Sequence, residues 1–142
     1  MSIKTIQEIR AFNRFYTDLI GLLNKHLLNS AYSLSEVRVM YEINTAREAQ
    51  ASHIMSAMDI DKSYLSRILK KLEKDRLIAR KASEQDGRAI VLSLTGKGEK
   101  LFKELTNATE DQIGGLISHL NSKQQQALVA HMQAIRKILQ DN

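Results

Sequence analysis

After residue 76 the spacing of apolar residues changes from steps of three and four to steps of two, and this break constrains the fold more than any other feature. Upstream, "DKSYLSRILKKLEK" (61–74) carries Tyr64, Leu65, Ile68, Leu69 and Leu72. At about 100° per residue these five fill one half of a helix, while Lys62, Ser63, Ser66, Arg67, Lys70, Lys71 and Lys74 fill the other. Only Glu73 approaches the edge of that basic arc. A solvated helix face normally mixes signs, because opposite charges four residues apart stabilise it. This face does not. Downstream, "LIARKA" and "RAIVLSL" read as strands, with Ile90, Leu92 and Leu94 alternating against Val91 and Ser93. Between them "SEQDGR" holds Asp86-Gly87, a hairpin-turn dipeptide in which glycine permits a positive φ.

The same stretch holds the charge. From Asp61 to Arg88 there are nine Lys and Arg against five acids, a net +4 of the chain's +5. Residues 1–60 balance at six against six, and residues 89–142 at six against five. A polyanion is the partner such a patch suits.

The rest of the chain reads as helix. It has 142 residues, enough for one domain with a real core, no proline, and abundant Leu, Ile, Ala, Lys, Glu and Gln. Without cysteine there can be no disulfide, thiolate metal site or cysteine nucleophile. The longest apolar run, "LIGLL" (19–23), is far too short to span a bilayer, and "MSIKTIQEIR" lacks the apolar core of a signal peptide. A soluble cytoplasmic protein with no membrane partner is expected. Ile6, Ile9, Phe12, Tyr16, Leu19, Ile20, Leu23, Leu27 and Leu28 mark a long first helix ending near Asn29. "SLSE" supplies Ser33 and Glu36 as a capping box for a second helix that turns Leu34, Val37, Met40, Tyr41 and Ile43 inward. A third helix follows in "AQASHIMSAM", with Ala51, Ile54, Met55 and Met58 facing the core. "DID" (59–61) leaves room only for a tight turn, with Asp61 capping the basic helix. Thr95 caps a fifth helix whose stripe is Leu101, Leu105, Ala108, Gln112, Leu116 and Leu120. Its Gly114-Gly115 pair implies either a kink or a close helix approach. Ser122 and Gln125 form the expected capping box of a sixth helix running through Leu139.

The expected fold is therefore mainly α with a small β wing: a helix, a short turn, a basic helix, then a charged-tip hairpin, which is a winged helix-turn-helix. A helix about 10–12 Å across fits the major groove of DNA. Its buried half would dock on the domain while its exposed half offers cations to phosphates and guanine edges. Ser63 and Ser66 are short enough to let the backbone approach the bases, and an arginine on a wing suits a narrow, negative minor groove. The candidate DNA-binding residues are Lys62, Ser63, Ser66, Arg67, Lys70, Lys71, Lys74, Asp86 and Arg88.

Residues 51–98, "ASHIMSAMDIDKSYLSRILKKLEKDRLIARKASEQDGRAIVLSLTGKG", also resemble the winged helix-turn-helix of the MarR family of bacterial transcriptional regulators. The matching features are Ser63, Ser66 and Arg67 on the recognition helix, the "LEK…LI.R" exit, the wing's Asp86 and Arg88, and "LT..G" opening the next helix. The resemblance implies one domain over 1–142, with 33–95 as the DNA-binding lobe and 1–30 and 96–142 as dimerisation helices. It implies a two-fold homodimer on palindromic operators, with Arg88 in the minor groove and Asp86 holding its guanidinium. Two positions depart from the family pattern, which has glycine where Asp59 and Arg76 stand. Asp tolerates left-handed backbone better than Arg, so a slightly altered helix exit is expected at Arg76. The segment "AFNRFYTDLIGLLNKHLLNSAYSLSEVRVMYEI" is similar to the regulator-like half of fusions with a GNAT acetyltransferase, a subfamily hint without an acetyltransferase sequence.

A small-molecule effector is a further partner that the resemblance implies. Phe12, Phe15, Tyr16 and Tyr41 either line a pocket for a phenolic ligand or form ordinary core. Arg14 and Arg38 either anchor an anionic effector or pair with Glu8, Asp18, Glu36 or Glu42. His26, His53, His119 and His131 include no HExxH pair; His119 and His131, expected on separate helices, leave a regulatory metal site open, and surface or packing roles account for them otherwise. No paired carboxylates, Ser-His-Asp set or phosphate-cradling loop supports catalysis, and no cofactor is expected. The competing function is a winged-helix protein–protein module without an operator of its own, which would not need a single-sign face.

Overall fold

The computed structural model describes residues 1–23 and 30–140. Among them are six helices, α1 (Ile3–Leu23), α2 (Leu34–Thr45), α3 (Ala51–Met58), α4 (Lys62–Lys74), α5 (Gly96–Ile117) and α6 (Ser122–Gln140). Strands β1 (Ile78–Ala82) and β2 (Ile90–Leu94) lie between α4 and α5. The expected end of the first helix near Asn29 lies outside the described residues. Contacts divide the chain into two units, Met1–Ala108 and Thr109–Asn142.

The core belongs to the first unit. Val39, Met40 and Ile43 from α2, Ile54 from α3, and Leu65, Ile68, Leu69 and Leu72 from α4 form one cluster, closed by Ala49, Leu77, Ile78 and Leu92. The apolar half of α4 thus lies where its periodicity puts it, with Tyr64 half-buried at its edge. On α2 the expectation needs correcting: Leu34 and Tyr41 are each 48% exposed, while Val39 is fully buried. Leu34 is the first residue of its helix and overhangs the core. The α2 stripe that meets α4 and the wing is Glu36, Val39, Met40 and Ile43.

Helix ends are set by local chemistry. The Glu36 N–H donates to Ser33 Oγ (3.2 Å) and the Ser33 N–H to Glu36 Oε1 (2.7 Å), completing the α2 capping box. Asp61 Oδ1 accepts from the Tyr64 N–H at 2.7 Å and starts α4. Among the described residues two have positive φ, Asp59 (52°) and Arg76 (60°), the positions at which the resemblance leads one to expect glycine. Arg76 does not alter the exit of α4. Its N–H donates to the Glu73 carbonyl and the Leu77 N–H to the Leu72 carbonyl (both 2.9 Å), a Schellman closure with arginine in the left-handed site. Thr95 Oγ1 accepts from the Gly98 N–H (3.1 Å) and donates to the Arg76 carbonyl (2.6 Å), joining the start of α5 to the exit of α4. Gly98 is obligatory there, since a Cβ would collide with the Leu77 carbonyl.

The wing departs from the sequence pattern in two ways. Its strands pair antiparallel in the register Ile78↔Leu94 to Ala82↔Ile90. Val91 and Leu92 are both buried and Ile90 is exposed, so the expected alternation fails. The Leu92 N–H donates to the Ala49 carbonyl (2.7 Å), so β2 is flanked on both edges and covered on both faces at its root. Gly87 has no positive φ, because the hairpin is not closed by a two-residue turn. The Ser83 N–H donates to the Ala89 carbonyl and the Ala89 N–H to the Asp86 carbonyl (both 2.9 Å), making a longer loop with Gly87 and Arg88 at its final bend.

In the second unit, Asn121 and Gln124 form the capping box of α6, one residue earlier than expected. The Gln124 N–H donates to Asn121 Oδ1 (2.8 Å) and the Asn121 N–H to Gln124 Oε1 (2.9 Å). Gln125 instead donates its side-chain amide to the carbonyls of Leu120, in the turn after α5 (3.1 Å), and of Ile117, the last residue of α5 (3.4 Å). Leu120 and His119 lie in the turn after α5 and not on a helix. Gly114 and Gly115 sit within continuous α5, with open space around them.

Candidate nucleic-acid interface

The turn and helix α4 are held by backbone geometry before any side chain reaches outward. Asp59 adopts the left-handed conformation, the Ile60 N–H closes on the Met55 carbonyl (3.2 Å), and Asp61 opens α4. Four buried apolar residues then fix the rotation of α4 about its axis. Lys62, Ser63, Arg67, Lys70 and Lys74 consequently face solvent, and Ser66 is half-buried among them. Lys62, Arg67, Lys70 and Lys74 have no ion-pair partner among the described residues. The Arg67 guanidinium lies 5.6 Å from the centroid of the Tyr64 ring, a contact that orders the side chain and leaves its charge intact.

Lys71 stands apart from the other basic residues of α4. Its Nζ donates to Glu36 Oε1 (3.0 Å) and to the Ala31 carbonyl (2.9 Å), and lies 5.1 Å from the Tyr32 ring centroid. Its charge is largely spent within the lobe. Asp75, at the same end of α4, accepts from the Tyr32 hydroxyl (3.0 Å). Burial and the Asp75 carboxylate push the Tyr32 phenol above its ordinary value. For Glu36, burial works to raise the carboxyl; the Ser33 N–H and Lys71 outweigh it and hold the group below the usual range. Arg80 on β1 is similarly engaged, by Glu73.

At the wing tip Arg88 is exposed. Asp86 does not hold its guanidinium: Oδ1 accepts from the Arg88 backbone N–H (3.1 Å) and so shapes the bend. A cleft of about 450 Å³ at the wing base is lined by Arg47, Glu48, Lys81, Glu84 and Gln85.

The six candidate effector residues all face solvent. Phe12 and Tyr16 stack with ring centroids 5.7 Å apart, and Phe15 and Arg14 are exposed beside them on α1. On α2, Tyr41 is exposed and Arg38 pairs with Glu42 (2.7 Å), one of the partners its charge suggested. These aromatics are therefore not core of the described chain. Reading the sequence missed Tyr32, Asp75, Glu48 and Ser83, whose partners lie 35 to 43 residues away. No local spacing signals such pairs.

The chain is similar to known proteins in both sequence and fold. Residues 32–90 match the profile of the MarR family. The HTH-type transcriptional regulator BilQ of Clostridium symbiosum is 25% identical over 123 residues, covering 87% of this chain and 85% of that regulator. The crystal structure of the MarR family transcription regulator SP03579 superposes with a TM-score of 0.81 at 17% identity, over 97% of this chain and 91% of that one. BpsR of Bordetella bronchiseptica, whose DNA binding is described as regulated by 6-hydroxynicotinic acid, superposes with a TM-score of 0.70 at 17% identity, over 89% and 90% of the two chains.

Proposed function

We propose, on the premise that this is a MarR-family winged helix-turn-helix chain, that it regulates transcription by binding double-stranded DNA as a two-fold homodimer on palindromic operators. The observation that carries this reading is the exposed half of α4. Lys62, Arg67, Lys70 and Lys74 project from one helix without ion-pair partners among the described residues, backed by a buried apolar half. Residues 33–95 form the DNA-binding lobe, and 1–30 and 96–142 supply the dimer.

In this reading α4 enters the major groove. Arg67, ordered on Tyr64, reads a guanine edge, Lys62, Lys70 and Lys74 meet phosphates, and Ser63 and Ser66 allow close approach. Lys71 acts indirectly, by anchoring α4 to Glu36 and Ala31. Arg88 enters the flanking minor groove, and Asp86 sets the backbone that presents it. The exposed aromatics of α1 suit a planar aromatic effector, with Arg14 available for an acid; the regulation of BpsR by an aromatic acid supports that chemistry.

Duplexes selected from a random library test the reading. Arg67→Ala should relax specificity at one position by about 1–3 kcal/mol per half-site. Lys70→Ala should weaken all duplexes alike and flatten the salt dependence by about one unit per contact. If both weaken every sequence equally, the assignment of base readout to Arg67 is wrong. If the wild-type chain binds no duplex at reduced salt, the protein–protein reading replaces this one.

A further inference from the structure

We infer that Glu48, in the connector between α2 and α3, is the positioning residue of the wing tip, acting on DNA binding through Ser83 without touching nucleic acid. This rests on the DNA-binding reading above. Glu48 Oε2 accepts from the Ser83 hydroxyl at 2.6 Å, and Oε1 accepts from the Glu84 N–H at 3.1 Å. Ser83 Oγ in turn accepts from the Gln85 and Asp86 N–H groups (3.1 Å each). Asp86 Oδ1 completes the relay on the Arg88 N–H. One carboxylate thereby organises the N–H groups of Glu84, Gln85, Asp86 and Arg88 through a single hydroxyl and a second carboxylate.

Both ends of the relay are fixed. Ser83 is only 6% exposed, so its hydroxyl sits where water does not readily substitute for the carboxylate. Glu48 precedes Ala49, whose carbonyl accepts from the Leu92 N–H, so the connector is stitched to β2 at the wing's root. Charge-assisted hydrogen bonds from a rooted carboxylate are the strong kind. A seven-residue loop, Ser83 to Ala89, that would otherwise be ordered only on binding is ordered beforehand, and Arg88 meets the groove without that entropy loss.

A simpler role for Glu48 is to neutralise Arg47 and Lys81, which line the same cleft. The two roles predict opposite signs. Removing an acid that only offsets cations near phosphate tightens binding to every duplex; removing a positioning group weakens it, and only through the wing.

The test uses the full chain and a selected duplex with A·T-rich flanks. Glu48→Gln and Ser83→Ala should each bind about three- to tenfold more weakly than wild type, with the native fold retained in circular dichroism and only a small drop in unfolding temperature. In an Arg88→Ala background neither should cost anything further, because the side chain they position is gone. Without DNA, amide exchange at Gln85, Asp86 and Arg88 should quicken in both variants. Tighter binding by Glu48→Gln, an equal loss in the Arg88→Ala background, or unchanged amide exchange would each overturn the proposal. A wild-type chain that binds no duplex would overturn the function itself and this role with it; wild-type binding with unchanged exchange in the two variants overturns the positioning role of Glu48 alone.

Discussion

Helices α4 and α6 are written in the same period and meet opposite fates. The apolar half of α4 is sealed by α2, α3 and β1, and Leu72 is 0% exposed. On α6, Leu128, Val129, Met132, Ile135 and Ile138 follow one another at helical spacing, yet no residue of the helix is buried and Ile138 is 71% exposed. Helix α1 repeats the pattern, leaving Ile3, Ile6, Ile9, Phe12, Phe15 and Leu22 uncovered. A contiguous apolar stripe in water is unfavourable by about 25 cal/mol per Å² left exposed. The difference teaches that one amphipathic pattern is a core signal in α4 and, in α1 and α6, an apolar face left uncovered, which is the face the proposed dimer would use.

Four outcomes would break or sharpen that contrast, and the largest concerns α4. Leu72→Ala should lower unfolding stability by about 2–5 kcal/mol, read by urea denaturation and independent of protein concentration. A loss that varies with concentration would mean that α4 also depends on assembly for its burial. The next concerns α6. Ile135→Glu should weaken self-association about 10- to 100-fold, or roughly 1.4–2.8 kcal/mol, in sedimentation experiments. A wild-type chain that is monomeric at micromolar concentration would contradict the proposed dimer.

A smaller effect is expected at the exit of α4. Arg76 occupies a left-handed site at φ 60°, so Arg76→Gly should raise stability by about 1 kcal/mol through relief of Cβ strain. A decrease would show that the long side chain gains more from packing than its backbone loses. The smallest is at Glu36, whose carboxyl is held below its ordinary range. A depressed folded-state value means that its stabilisation is complete above the unfolded value and fades as pH falls through the folded one. Wild type should therefore lose its advantage over Glu36→Gln below roughly pH 4.5, in urea titrations across the acid range. A pH-independent difference would remove the Lys71–Glu36 ion pair as its cause.

Much of the lobe was legible because its determinants are local. The Ser33–Glu36 box, the Asp61 cap and the rotation of α4 each follow from residues within a turn or two. The left-handed backbone at positions 59 and 76 was suggested only by the family resemblance, since Asp and Arg do not announce it. The wing was legible only in outline. Its two strands were expected, but Asp86-Gly87 misled as to the turn, because the loop's shape is dictated by Ser83 and by Glu48, 35 residues upstream. At α6 two overlapping capping boxes were possible, and the structure uses Asn121 with Gln124 while Gln125 serves the Ile117 carbonyl at the end of α5 and the Leu120 carbonyl in the turn after it.

By itself, the sequence determined the elements, the sign-pure face of the fourth helix and the place of the excess charge. Periodicity and capping act over a few residues, and the backbone obeys them wherever the segment lies. Only the tertiary structure decided which cations remain available. Lys71 and Arg80 look like Lys70 and Arg67 in sequence, yet Glu36 and Glu73 engage the first two and leave the others open. It also decided that Val39 is buried in place of Tyr41, and that one carboxylate in a distant connector orders the wing. Ion pairing and burial depend on distance in space, which folding sets and spacing along the chain does not encode.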